Sequence, residues 1–147
     1  MRLRLFTDGA SRGNPGEAAA GMVLRGDGDG GPVAREEGHY LGRMTNNQAE
    51  YRALIAGLEM AARESPEELE VCLDSELVVQ QVNGRWRVKS DELRPLWMTA
   101  RRLLAGFPKV RVRYIPREQN KRADWLANVA LDARLPASAQ MPGASYR

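Results

Sequence analysis

Four carboxylates, Asp8, Glu50, Asp74 and Asp124, stand where a folded chain of this pattern would place an apolar residue or a helix cap. Asp8 follows the strand-like run Arg2-Leu3-Arg4-Leu5-Phe6-Thr7, and Asp74 follows Leu69-Glu70-Val71-Cys72-Leu73. Glu50 shares a helical face with Leu54 and Leu58, at i, i+4 and i+8, and so points toward the core. Asp124 opens the apolar segment Trp125-Leu126-Ala127-Asn128-Val129-Ala130-Leu131. Clustered, desolvated carboxylates repel one another and persist only when protons or metal ions neutralise them. Magnesium is the natural candidate. Taken singly, Asp74 and Asp124 also read as helix caps and Asp8 as a turn residue before Gly9; Glu50 has no comparable structural explanation.

These acids must be held by a single folded unit. The 147 residues can bury roughly two-thirds of their unfolded surface, and their number calls for no second domain. No apolar stretch approaches the roughly 20 residues a membrane span needs, and Met1-Arg2-Leu3-Arg4 runs straight into a strand, so a cytoplasmic monomer is expected. The lone Cys72 sits in an apolar strand and reads as a small core residue. A net charge of +3 and a pI near 9.3 permit a polyanionic partner without requiring one.

Strands come first along the chain. The first is followed by the turn-rich Gly9 to Gly16, then a second strand from about Ala18 to Arg25, a hairpin loop from Gly26 to Gly31, and a third strand from about Val33 to Tyr40. The alternating Asp and Gly of that loop lack the glutamate that closes an EF-hand. A helix should begin at a capping Asn46 or Asn47 and reach about Glu64, where Ser65-Pro66 stops it. Asp74-Ser75 should cap a short helix ending near Gly84, which suits a left-handed position. Leu93, Leu96, Trp97, Ala100, Leu103, Leu104 and Phe107 mark a third helix by their spacing, from Glu92 to Phe107. The alternating Val110 to Ile115 reads as an outer strand, and a last helix spans about Lys121 to Leu131. Residues 1–133 are the expected domain, with 134–147, containing Pro136, Pro142 and Gly143, as a flexible tail.

This order, with Thr7-Asp8-Gly9-Ala10-Ser11, Thr45-Asn46-Asn47-Gln48-Ala49-Glu50, Asp74-Ser75 and Asn120-Lys121-Arg122-Ala123-Asp124, resembles the type 1 ribonuclease H family over about Met1 to Ala133. The resemblance implies the α/β ribonuclease H-like fold, a five-stranded mixed β-sheet with helices on both faces. It implies an endonuclease that cuts the RNA strand of RNA/DNA hybrids and leaves 5′-phosphate and 3′-hydroxyl ends. Two Mg²⁺ ions, with Mn²⁺ as a substitute, would be held by Asp8 bridging both, by Glu50 and Asp74 on the leaving-group side, and by Asp124 on the water side. Two such ions roughly 3.5 to 4 Å apart activate water and stabilise the leaving alkoxide. Asn14, Asn46 and Asn47 would read 2′-hydroxyls with their amides, and Arg43 and Thr45 would grip a phosphate of the DNA strand. Two other readings stay open: another nuclease of the superfold, such as a resolvase or exonuclease, and a non-catalytic hybrid-binding module.

Two departures from the better-known bacterial members matter. The long basic protrusion is missing, since only Asn83-Gly84-Arg85-Trp86-Arg87-Val88-Lys89 separates two helices. Arg85, Trp86, Arg87 and Lys89 are candidates for phosphate contact, or for a basic turn packed by the tryptophan, and Ser90 is a candidate for the remaining phosphate-pocket position. The family's loop histidine is missing too, from Pro116-Arg117-Glu118-Gln119-Asn120. A shorter bacterial and archaeal subgroup also lacks the protrusion and carries a similar Arg-Glu segment, which makes Arg117 or Glu118 the candidate for the histidine's proton-moving role. His39, at the end of the expected third strand, reads as structural, and Gln48 as a solvated helix residue.

Overall fold

The computed structural model describes residues 1–26 and 31–134. The tip of the expected hairpin loop and the tail beyond Arg134 lie outside the described residues. Strands β1 (Arg2–Gly13), β2 (Gly16–Arg25) and β3 (Val33–Met44) form an antiparallel meander. Helix α1 (Asn46–Ala62) leads to β4 (Glu68–Leu73), helices α2 (Glu76–Val82) and α3 (Arg94–Ala105), β5 (Val110–Tyr114) and helix α4 (Lys121–Ala133). Both β4 and β5 run parallel to β1, giving one mixed five-stranded sheet in the order β3-β2-β1-β4-β5. The expected fold class is therefore the one observed, with β5 at the edge as its one-sided alternation required.

The sheet divides the core. Leu3, Leu5, Met22, Leu24, Val71 and Leu73 face α1, whose Tyr51, Leu54, Leu58 and Met60 are fully buried against them. Helix α3 packs on α1 with Ala100 and Leu104 buried, and Leu93 just before it joins the same core, as the spacing implied. The Tyr51 hydroxyl donates to Gln81 Oε1 at 2.7 Å and Trp97 Nε1 donates to the Gln81 backbone carbonyl at 2.9 Å, so these two polar groups are partnered. Helix α4 covers the opposite face of β1, β2 and β3. It approaches so closely because the paired Gly21 and Gly38 lack side chains there: a Cβ on Gly21 would meet the Ala123 carbonyl oxygen at 2.0 Å, and one on Gly38 the Leu126 oxygen at 2.7 Å.

Several boundaries depart from the sequence reading. Strand β1 does not stop before Asp8; its ladder with β2 continues from Asp8 opposite Gly21 to Gly13 opposite Gly16, because backbone pairing overrides the turn-rich composition. The cap of α1 is Thr45, not Asn46 or Asn47. Thr45 has the extended φ and ψ of −78° and 164°, its hydroxyl accepts from Gln48 N, and the Gln48 side chain returns to Thr45 N at 2.9 Å. Gln48 is thus half of a capping box, and it also donates to Glu92 Oε2 at 3.1 Å, rather than being merely solvated. Helix α3 begins at Arg94, after the Ser90 hydroxyl accepts from Leu93 N at 3.2 Å. Arg117–Gln119 forms a short 3₁₀ turn that the loop reading did not contain. His39 lies inside β3, bonded to Glu37 at 2.8 Å. Gly84 does adopt a left-handed φ of 78°, and Cys72 is buried.

Candidate metal centre and nucleic-acid interface

The acids converge where the parallel pairing of β1 with β4 ends, at Thr7 opposite Leu73. Asp8 projects from β1, Asp74 directly follows β4, Glu50 comes from the first turns of α1, and Asp124 from the first turn of α4. One carboxylate oxygen each of Asp8, Glu50 and Asp74 lies within 4.8 Å of the others. Asp124 stands beside this trio, close enough that its carboxyl raises that of Asp8. All four sequence candidates are therefore brought together.

Burial and mutual repulsion dominate the electrostatics. Asp8 is pushed up to about 10, first by desolvation and then by the charges of Glu50 and Asp74. Glu50 is pushed up to about 8 by burial, against a backbone hydrogen bond that favours its ionised form. Asp74 is also raised, by burial, while the Arg117 guanidinium and a hydrogen bond from Asn120 hold it down. A group of acids that the protein itself leaves this uncomfortable is suited to a hard cation. The donor set, carboxylate oxygens without sulfur or nitrogen, fits Mg²⁺ or a similar ion rather than a softer one.

Two positioning residues were missed by the sequence reading. The Gly9 amide donates to Glu50 Oε1 at 3.0 Å, fixing the carboxylate beside Asp8. Helix α1 can come this close because a Cβ on Gly9 would sit 2.3 Å from the Ala49 carbonyl carbon. Asn120, 1% exposed, donates from Nδ2 to the Thr7 carbonyl at 2.9 Å and its side chain helps hold the Asp74 carboxylate ionised, while its backbone carbonyl accepts from the Asp124 amide at 3.1 Å. One buried amide thus ties the end of the β1–β4 pairing to Asp74, while the backbone of the same residue starts the helix that carries Asp124. Its presence in the Asn120 to Asp124 motif was the only available signal.

The candidate substrate residues cluster around the start of α1. The Asn14 side-chain oxygen accepts from the Asn46 amide at 3.0 Å, tying the β1–β2 turn to the helix. With Thr45 as cap, the side chains of Asn46 and Asn47 stay exposed beside Glu50, and Arg43 is exposed on the neighbouring end of β3. The Ser90 hydroxyl oxygen is engaged at the start of α3, and Trp86 is 45% exposed in its basic turn. Arg117 is exposed but acts electrostatically on both Glu50 and Asp74. Glu118, also exposed, shares with Arg117, Lys121 and Asp124 the wall of an open groove beside the acids. No described helix is long and apolar enough to cross a membrane.

Residues 6–130 match the family model described as reverse transcriptase-like. A relative from Halobacterium salinarum, Ribonuclease HI, is 52% identical over 131 residues, which are 89% of this chain and 65% of that protein. The Mycobacterium tuberculosis protein called Bifunctional protein Rv2228c is 43% identical over 95% of this chain, but the match spans only 38% of its length. Among solved structures, the RNase H1 from Halobacterium salinarum superposes with a TM-score of 0.85 at 47% identity, covering 90% of this chain and 99% of that one.

Proposed function

The chain belongs to the ribonuclease H family, and from that premise we propose that it is an endonuclease hydrolysing the RNA strand of RNA/DNA hybrids to 5′-phosphate and 3′-hydroxyl ends. The observation that carries the reading is the convergence of Asp8, Glu50 and Asp74 within 4.8 Å, with Asp124 against Asp8. A related protein, LC11-RNase H1, 37% identical with a TM-score of 0.83, has been crystallised in complex with RNA/DNA hybrid. Two Mg²⁺ ions at this cluster would supply an activated water and charge stabilisation of the leaving oxygen.

The residues of the chain divide the remaining work. Asp8, Glu50, Asp74 and Asp124 would hold the ions, Asp8 as the ligand common to both, Glu50 and Asp74 toward the leaving group and Asp124 toward the water. Gly9 and Asn120 hold these carboxylates so that little reorganisation is needed when substrate arrives. Asn14, Asn46 and Asn47 offer amides that both donate and accept, which suits 2′-hydroxyls on a minor-groove surface and has no use on a DNA duplex. Arg43 and Thr45 are placed for a phosphate of the DNA strand. Arg117, whose charge reaches Glu50 and Asp74, or Glu118 beside it is the candidate for the loop's part in proton movement and product release.

The test is purified protein with a labelled RNA/DNA hybrid, a double-stranded RNA and a DNA duplex, each with Mg²⁺, Mn²⁺ or EDTA. Metal-dependent cutting of the RNA strand of the hybrid, with the DNA duplex intact, is expected. Cutting of the DNA duplex would favour a resolvase-like or exonuclease-like enzyme, and binding without cutting a non-catalytic module. Replacing both Asn46 and Asn47 by Ala should lower hybrid cleavage roughly tenfold or more, at about 1 kcal/mol for each lost neutral hydrogen bond. The loss should fall mainly on KM. Because Thr45 caps the helix, the melting temperature should change little; a large fall in melting temperature with an unchanged rate would assign these amides a purely structural part.

A further inference from the structure

Two of the acids, Asp8 and Asp74, share one sheet face with a row of cations that the proposed function has not used. On β1 the side chains of Arg4 and Asp8 alternate to the same face, and on β4 so do those of Glu68 and Glu70. Helix α4 covers this face over β1, β2 and β3, so over β4 and β5 it is left to charged side chains. The registers line them up in rungs: Arg4, Glu70 and Arg111 stand abreast, and Arg113 lies opposite Cys72. Glu70 is shared by Arg4 at 2.7 Å, Arg113 at 3.2 Å and Arg111, while Glu68 is shared by Arg2 at 3.4 Å and Lys109 at 3.7 Å. Each carboxylate thus serves more than one cation, and the edge strand carries the surplus outward. The Lys109, Arg111 and Arg113 side chains are 75%, 73% and 41% exposed.

We propose that Lys109, Arg111 and Arg113 form a phosphate-tracking stripe that holds the nucleic-acid backbone on one flank of the cleavage site. Their spacing at i, i+2 and i+4 sets the charges about 6.6 Å apart over about 13 Å, the axial length of roughly four nucleotides. The C-terminal end of the stripe leads through Tyr114, Ile115 and Pro116 to Arg117, whose charge acts on Glu50 and Asp74. A polyanion is the occupant that such a row complements, and a backbone entering or leaving the acid cluster is the polyanion at hand. The stripe offers cationic contact in a chain whose helices α2 and α3 are joined without a basic protrusion. The inference rests on the hybrid-cleaving reading for the position of the cut, but not for the binding itself.

The test is a Lys109→Gln/Arg111→Gln double variant of the intact chain. Arg4 and Arg113 remain to pair Glu70, so the fold should be kept, which a melting curve checks. With hybrids extending about 12 base pairs beyond the cut on both sides, KM should rise about tenfold and kcat stay unchanged. With hybrids extending only about 3 base pairs, too short to span the roughly 13 Å from Asp74 back to Glu70, KM should stay within twofold. The slope of log affinity against log salt for the long hybrid, read by fluorescence anisotropy in EDTA, should fall by about 2. A DNA duplex used as an uncut probe should lose affinity similarly, because phosphate contacts carry no sugar information. An unchanged salt slope and long-hybrid KM, or equal losses on short and long hybrids, would overturn the stripe. If the wild-type chain cuts no hybrid yet the variant loses salt-dependent binding, the stripe stands and the catalytic reading fails.

Discussion

Asp8→Asn should abolish hybrid cleavage while making the metal-free protein more stable. The two effects have one origin. Asp8 is raised from 3.8 to about 10 by burial and by the neighbouring acids, so over that pH range the folded state holds a proton that the unfolded state has released. Its contribution is fully present below about pH 4 and is lost as pH rises toward 10. Glu50, raised from 4.5 to about 8, has the same sign over a narrower window. The melting temperature of the wild-type protein in EDTA should therefore fall between pH 5 and pH 9. In Asp8→Asn the fall should be shallower, and at pH 8 the variant should melt higher. A rise of roughly 2–4 °C corresponds to about 1 kcal/mol in a domain of this size.

Added Mg²⁺ should reverse the ranking at pH 8, raising the wild type far more than the variant, because a neutral amide cannot replace a shared carboxylate ligand. The rate should drop on the order of 10³-fold, the equivalent of about 4 kcal/mol of transition-state stabilisation. Calorimetry and a cleavage assay on the same preparations separate the two effects. Near-normal turnover of Asp8→Asn at saturating Mg²⁺ would end the two-metal reading, and a steeper pH slope than wild type would contradict the electrostatic one.

The four acids were legible in the sequence because each breaks a local pattern. Glu50 occupies the face of an amphipathic helix whose Leu54 and Leu58 are fully buried, and Asp8 and Asp74 come after apolar strand runs. The edge position of β5 was legible for the same reason, since alternation reports which faces are covered. The residues that hold the acids were not. Gly9 meets Glu50 across 41 positions and Asn120 meets Thr7 across 113, and no local period encodes such contacts. The cap of α1 was misplaced because Thr45, Asn46 and Asn47 are all good capping types; only the extended backbone at Thr45, set by the end of β3, decides among them. That shift of one residue has a chemical consequence, because it frees both amides for an outside partner.

Asn120→Asp should be more damaging than its near-identical shape suggests. Asn120 is buried, and its Nδ2 must be the atom facing the Thr7 carbonyl, because two carbonyl oxygens cannot bond one another. The same amide bonds Asp74 and offsets part of the repulsion that raises it. An aspartate there withdraws both donated hydrogens and adds a fifth acid to a cluster that is already short of counter-charge. Leaving the Thr7 carbonyl unpaired should cost about 1–3 kcal/mol, and the lost placement of Asp74 should lower kcat and kcat/KM together by roughly 10²-fold. Asn120→Ala removes the donor without adding charge, so it should be similarly unstable yet bind Mg²⁺ differently from the aspartate variant. If Asn120 only fills space, the isosteric aspartate should keep wild-type activity and melting while alanine fails. The opposite ranking in activity, aspartate at least as impaired as alanine in a protein still folded by circular dichroism, identifies the donated hydrogen bonds as the property that matters.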